Sequence, residues 1–126
     1  RYETILFFEK GKRRLTDLGV PDIIEAPRVR GGYPSEKPAA VVAVLVRQSS
    51  AQGELVIDPF MGSGAFGDAA VRLGRDFAGT DTSAQAREVA RNRLRAAGAR
   101  PARLLDRRET WAPPRGPHTI RGGEAA

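Results

Sequence analysis

A chain of 126 residues, 40% of them hydrophobic, has room for one small domain or part of one and can bury a core, which argues against wholesale disorder. With no cysteine and a single histidine, His118, the sequence excludes disulfides, thiolate metal sites and a histidine metal cluster. A net charge of +6 and a pI near 10.7 favour a polyanionic partner, nucleic acid being the natural candidate, with an arginine-rich compositional bias as the bland alternative.

The best apolar run, Ala39 to Val46, is far shorter than the roughly 20 residues that span a membrane. The chain opens on Arg1 without a signal-like succession of charge, apolar run and small residues, and it reads as beginning in mid-frame. Thr4-Ile5-Leu6-Phe7-Phe8 reads as a buried strand by its β-propensity, closed by Glu9-Lys10-Gly11 and the charged turn Lys12-Arg13-Arg14. Between Leu15 and Pro27, Asp22-Ile23-Ile24 is a short extended piece flanked by prolines. Arg28, Arg30 and Lys12 to Arg14 are either contacts to DNA phosphates or a solvated face, and the sequence does not choose between the two.

Arg30 to Pro34 is a turn, and Pro38 suits a first helical turn, where its missing N–H costs nothing. A helix is expected over Ala39 to Arg47; its four valines lower its propensity, so packing must hold it. Gln48 to Gly53 reads as a polar turn. Leu55-Val56-Ile57 then reads as a buried parallel strand ending at Asp58.

Ala65 to Leu73 places Phe66, Ala69, Ala70 and Leu73 on one helical face, with Gly74 as a left-handed stop. Asp76 to Thr80 forms a second short strand leading to Asp81. Ser83 to Ala97 is a helix with Ala86, Val89, Ala90 and Leu94 inward, Arg87, Arg91 and Arg95 on an outer face, and Gly98 as its stop. From Ala99 periodicity fades, and residues 107–126 read as a loosely ordered tail.

The chain is organised around Glu54-Leu55-Val56-Ile57-Asp58-Pro59-Phe60-Met61-Gly62-Ser63-Gly64. Asp58 falls at a strand's carboxyl end, where open α/β sheets bind ligands. Gly62 and Gly64 admit backbone angles closed to other residues and let a ligand approach the main chain. Gly62-x-Gly64-x-x-Gly67 is formally a dinucleotide fingerprint, yet a carboxylate against the glycine turn would repel a pyrophosphate and welcome a cationic amine. The turn fits a ligand with an amino-acid end. The alternative is a nicotinamide dinucleotide-binding domain.

Asp58-Pro59-Phe60-Met61-Gly62-Ser63-Gly64 resembles the S-adenosyl-L-methionine (SAM) motif of the amino-directed DNA methyltransferases, which methylate N6 of adenine or N4 of cytosine. Tyr33-Pro34-Ser35-Glu36-Lys37-Pro38 resembles the same family's second cofactor motif. The two stand in the family's order and spacing, and the resemblance runs from Tyr2 to about Leu94. It implies an α/β, Rossmann-like SAM-dependent methyltransferase fold, present in part, with a parallel sheet flanked by helices. Residues 1–32 would be strand and linker from a catalytic and target-recognition half, 33–106 the SAM-binding part and 107–126 the tail.

The resemblance further implies SAM as cofactor, held by Ser35, Lys37, Asp58, Pro59, Phe60, Met61, Gly62, Ser63, Gly64 and Asp81, with no metal. Ser35 and Lys37 would face the cofactor's carboxylate; otherwise Ser35 is a helix cap and Lys37 a surface charge. Asp81, 23 residues after Asp58, stands where a ribose diol expects a bidentate acceptor, and Thr82-x-x-Gln85 offers a separate capping box that leaves Asp81 free for that role. The partner implied is double-stranded DNA, bound by the intact protein in the cytoplasm.

The family's catalytic motif, Asp, Asn or Ser followed by Pro-Pro and an aromatic, is missing from this chain. The only paired prolines stand in Trp111-Ala112-Pro113-Pro114-Arg115, where alanine offers no side-chain acceptor and arginine does not replace the aromatic. The motif is therefore expected upstream of Arg1, with no catalytic residue in this chain, which would be inactive alone. Two further readings stay open: a non-catalytic SAM- or DNA-binding module, and a subunit of a split methyltransferase.

Overall fold

A computed structural model describes residues 3–12 and 15–100. The readings made for Tyr2, Arg13, Arg14 and everything from Pro101 onward, the Pro113-Pro114 pair and the tail included, lie outside the described residues. The elements are α1 (Ala39–Ser49), β1 (Leu55–Asp58), α2 (Ala65–Arg72), β2 (Asp76–Gly79) and α3 (Ala84–Ala96). The strands form a parallel pair in the register Leu55 to Asp76, Val56 to Phe77, Ile57 to Ala78 and Asp58 to Gly79. A parallel sheet flanked by helices is the α/β class expected.

The core is small and built from short side chains. Val42 and Val46, one helical turn apart on α1, are fully or almost fully buried against Ala69 and Ala70 of α2, with Val56, Phe66, Leu73 and Phe77 partly buried around them. Packing thus holds the valine-rich α1, as its composition requires. Arg75 ties the end of α1 to the start of β2: its guanidinium donates to the Ser50 hydroxyl (3.1 Å), the Ser50 carbonyl (2.6 Å) and the Leu73 carbonyl (2.5 Å). A cation here satisfies carbonyls that the helix ends leave unpaired.

Three expectations need correction. Thr4 to Phe8 is not a buried strand: it has no strand pairing, and Leu6 and Phe8 are 71% and 84% exposed. β-propensity needs a ladder partner to act, and the two-stranded sheet puts none beside this segment. Secondly, β1 is not buried: it is half-covered on one face, where α2 packs against the sheet, and Leu55 and Ile57 are open on the other. Thirdly, α1 continues two residues beyond Arg47. Gln48 is helical rather than part of a turn; its side chain accepts from the Asp17 N–H at 2.8 Å, and the Thr16 N–H reaches its carbonyl at 3.4 Å, fastening the amino-terminal segment to α1.

Candidate functional site

The site is built where β1 stops. Its ladder with β2 runs on past the strand ends, as the Thr80 N–H donates to the Asp58 carbonyl and the Met61 N–H to the Thr80 carbonyl, both at 3.0 Å. The Asp58 carboxylate accepts from the Phe60 N–H at 3.0 Å, a two-residue turn that fixes its side chain. The chain then tightens, with the Gly64 N–H donating to the Met61 carbonyl at 2.7 Å, and Gly64 enters α2 in the left-handed region, φ 78°.

Two of the glycines serve packing as well as conformation. A Cβ on Gly64 would lie 2.8 Å from the Ala90 Cβ, and one on Gly67 2.6 Å from the Phe77 ring and 2.8 Å from Leu94. The spacing Gly62-x-Gly64-x-x-Gly67 therefore seats α3 and β2 against α2. Its last two positions thus have a packing reason of their own.

Above this turn, the loop before α1 forms the opposing wall of a pocket of about 280 Å³. The lining joins Tyr33, Pro34, Ser35, Glu36 and Lys37 from one side to Asp58, Phe60, Met61, Gly62, Ser63, Ala65 and Phe66 from the other. Ligand pockets run from ~300 Å³ upward, so this one is small but of the right order. A second, larger hollow on the open face of β1, lined by Ser49, Ser50 and residues 54–57, contains none of the motif residues.

Of the ten residues singled out from the sequence, seven line the pocket: Ser35, Lys37, Asp58, Phe60, Met61, Gly62 and Ser63. Pro59 is exposed outside the lining and Gly64 is buried beneath it. Asp81 stands behind the glycine turn, its carboxylate accepting from the Gly62 N–H at 2.9 Å and from the Ser83 N–H at 2.8 Å. Those two bonds hold the carboxyl below the usual carboxylate range, the Ser83 N–H first and the Gly62 N–H second.

The expected division of labour at this helix start is therefore revised. Ser83, not Thr82, is the N-cap of α3, its hydroxyl accepting from the Ala86 N–H at 3.2 Å, and Asp81 itself braces both the helix start and the glycine turn. The reason is that the helix begins at Ala84, one residue too late for the Thr82 box. A carboxylate has about four acceptor sites, so two remain for further donors. Ser35 is not a helix cap either, since α1 starts after Pro38. It sits in the left-handed region at φ 59°, a conformation that costs a non-glycine residue about 1 kcal/mol or more. Lys37 pairs with Glu3, an exposed contact that lowers the Glu3 carboxyl below its usual range.

Sequence reasoning passed over Glu36, Phe66 and Arg93. Glu36 occupies the variable position of its motif, and Arg93 falls off the exposed stripe of Arg87, Arg91 and Arg95. Arg93 donates to the Ser63 hydroxyl at 2.9 Å and to the Glu36 carboxylate at 2.6 Å, so both of its partners belong to motifs already visible in the sequence. No group of three or more possible metal-ligating side chains occurs among the described residues.

Comparison with known proteins bears on the family and the fold. The sequence model of the N6/N4 methyltransferase family, described as DNA methylase, matches residues 9–92. The type II methyltransferase M2.DpnII of Streptococcus pneumoniae is 39% identical over 66 residues, 52% of this chain and 25% of that protein. M2.LlaDCHI of Lactococcus lactis subsp. cremoris, also a type II methyltransferase, is 31% identical over 94 residues, 74% of this chain and 35% of its own length. The crystal structure of the M1.HpyAVI–SAM complex superposes with a TM-score of 0.55 at 25% identity, covering 64% of this chain and 43% of that one. The matched region thus spans between a quarter and about a third of the two curated relatives.

Proposed function

This chain belongs to the N6/N4 DNA methylase family, and from that premise we propose that it is the SAM-binding part of a methyltransferase acting on the exocyclic amine of adenine or cytosine in DNA. The observation that supports the reading is the single pocket into which the Tyr33–Lys37 loop and the Asp58–Ser63 turn converge. The chemistry of the donors fits the cofactor. Asp58 offers a carboxylate to a cationic amine, Lys37 and Ser35 offer an ammonium and a hydroxyl to a carboxylate, and Phe60, Met61 and Phe66 offer apolar surface to a flat ring.

When bound, SAM supplies an electrophilic methyl group on a sulfonium. The chain's residues would hold it rather than react: Asp58 orients the amino end, the Gly62 and Ser63 backbone lies against the ligand, and Asp81 keeps two acceptor sites for the ribose hydroxyls. Lys37 would leave Glu3 to meet the carboxylate, an exchange between exposed, solvent-screened ion pairs. We assign residues 33–106 to this binding part and 1–32 to the connection with a catalytic half, to which the base-holding motif belongs. In the intact protein the methyl group would pass in line to the amine, with positioning as the main device. A net charge of +6 supports a DNA partner.

The test is titration of the chain with SAM by calorimetry. Asp58→Ala should weaken binding by about ten- to a hundredfold, the loss of one charge-assisted contact of about 1.5–3 kcal/mol. Unchanged affinity in that variant contradicts the assignment.

A further inference from the structure

The two walls of the pocket come from segments more than twenty residues apart, and one side chain outside the pocket lining connects them. Arg93 projects from α3 with 29% of its side chain exposed; one guanidinium nitrogen donates to Glu36 Oε1 at 2.6 Å and the other to Ser63 Oγ at 2.9 Å. Glu36 is itself 87% buried as a side chain, and its second oxygen accepts from the Tyr33 N–H at 3.3 Å. Its backbone N–H closes the same loop onto the Tyr33 carbonyl at 3.0 Å. The acceptors are thus already fixed to their loops, and the planar guanidinium has the fork geometry to serve two of them at once.

We propose that Arg93 is a positioning residue that sets the separation of the two pocket walls through Glu36 and Ser63, and so determines how tightly the chain holds SAM without touching it. This rests on the SAM reading above. The exposed arginines of α3 offer an internal contrast: Arg91 pairs only along its own helix with Glu88, and Arg87 bonds the carbonyls of Asp81 and Thr82 at the helix start. Among the described contacts of α3 side chains, those of Arg93 alone reach both loops.

The full chain and its variants would be titrated with SAM by calorimetry, each first shown to be folded by circular dichroism at the titration temperature. Arg93→Ala should weaken SAM by at least about tenfold, and Arg91→Ala by less than about twofold. Glu36→Ala should weaken binding in the same direction, and the Glu36→Ala/Arg93→Ala double variant should lose clearly less than the sum of the two single variants, since both remove the same ion pair while Arg93→Ala also removes the bond to Ser63; a general structural defect would instead add in the double variant. Should Arg93→Ala fail to fold, Glu36→Gln keeps the shape of the loop and should weaken binding about threefold or more. Arg93→Ala or Glu36→Gln binding SAM as the parent chain does, or additive losses in the double variant, would overturn the proposal. A parent chain that does not bind SAM removes the SAM reading itself, an outcome distinct from a parent that binds and a variant that binds equally well.

Discussion

Gly64→Ala isolates the contact that seats α3 beneath the candidate site. Two penalties combine at this position. Its φ of 78° costs an L-residue about 1–2 kcal/mol, and the new methyl would sit 2.8 Å from the Ala90 Cβ and 3.0 Å from the Ala90 Cα, an overpacking worth about 1–3 kcal/mol. Stiffening of the unfolded chain returns less than about 1 kcal/mol. The net loss of about 2–4 kcal/mol is a large share of the ~5–15 kcal/mol that holds a typical domain together. Gly53→Ala is the control, having the same φ of 78° and nothing within 4 Å of the added methyl. Urea unfolding followed by circular dichroism should therefore place Gly64→Ala below Gly53→Ala by about 1–3 kcal/mol, with Ala90→Gly recovering part of the gap. Equal losses in the two glycine variants would refute the close approach of α3 to the glycine turn.

Other perturbations follow from the same geometry. Val42→Ala empties a fully buried site between α1 and α2 and should cost about 2 kcal/mol in the same unfolding measurement. Because the Asp81 carboxyl is held below its unfolded value by two N–H donors, its stabilisation is present above about pH 4 and lost as pH falls through the lower folded value. Asp81→Asn should flatten acid unfolding in that window, and a parent-like acid profile would count against the two bonds. Glu3→Gln should tighten SAM binding by up to about threefold, since Lys37 no longer has a competing carboxylate. Unchanged binding in that variant would place Lys37 outside the ligand's reach.

Most of the helices were legible because their signals are local. The apolar spacing of Ala69 and Ala70, the arginine stripe of α3 and the stops at Gly74 and Gly98, both at positive φ, all depend on neighbours within a turn or two. The two pocket motifs were legible for a similar reason, each being a contiguous run. What the sequence hid was set by contacts across the chain. Thr4 to Phe8 has strand composition without a strand's partner. Gln48 joined α1 because its side chain and carbonyl bind residues 16 and 17, more than thirty positions earlier. Asp81 and Arg93 acquired their roles from Gly62, Ser63 and Glu36, which no helical or strand period relates to them. The glycine pattern was visible as a motif, but two of its three positions answer to Ala90, Phe77 and Leu94.

The most direct test of the central claim is the amide spectrum of the labelled chain during titration with SAM. Saturable shifts are expected in both walls together, Tyr33 to Lys37 and Asp58 to Ser63, with the Gly62 amide moving as ligand reaches the turn that Asp81 braces. Shifts confined to one wall, or a spectrum that SAM leaves unchanged, would contradict that claim.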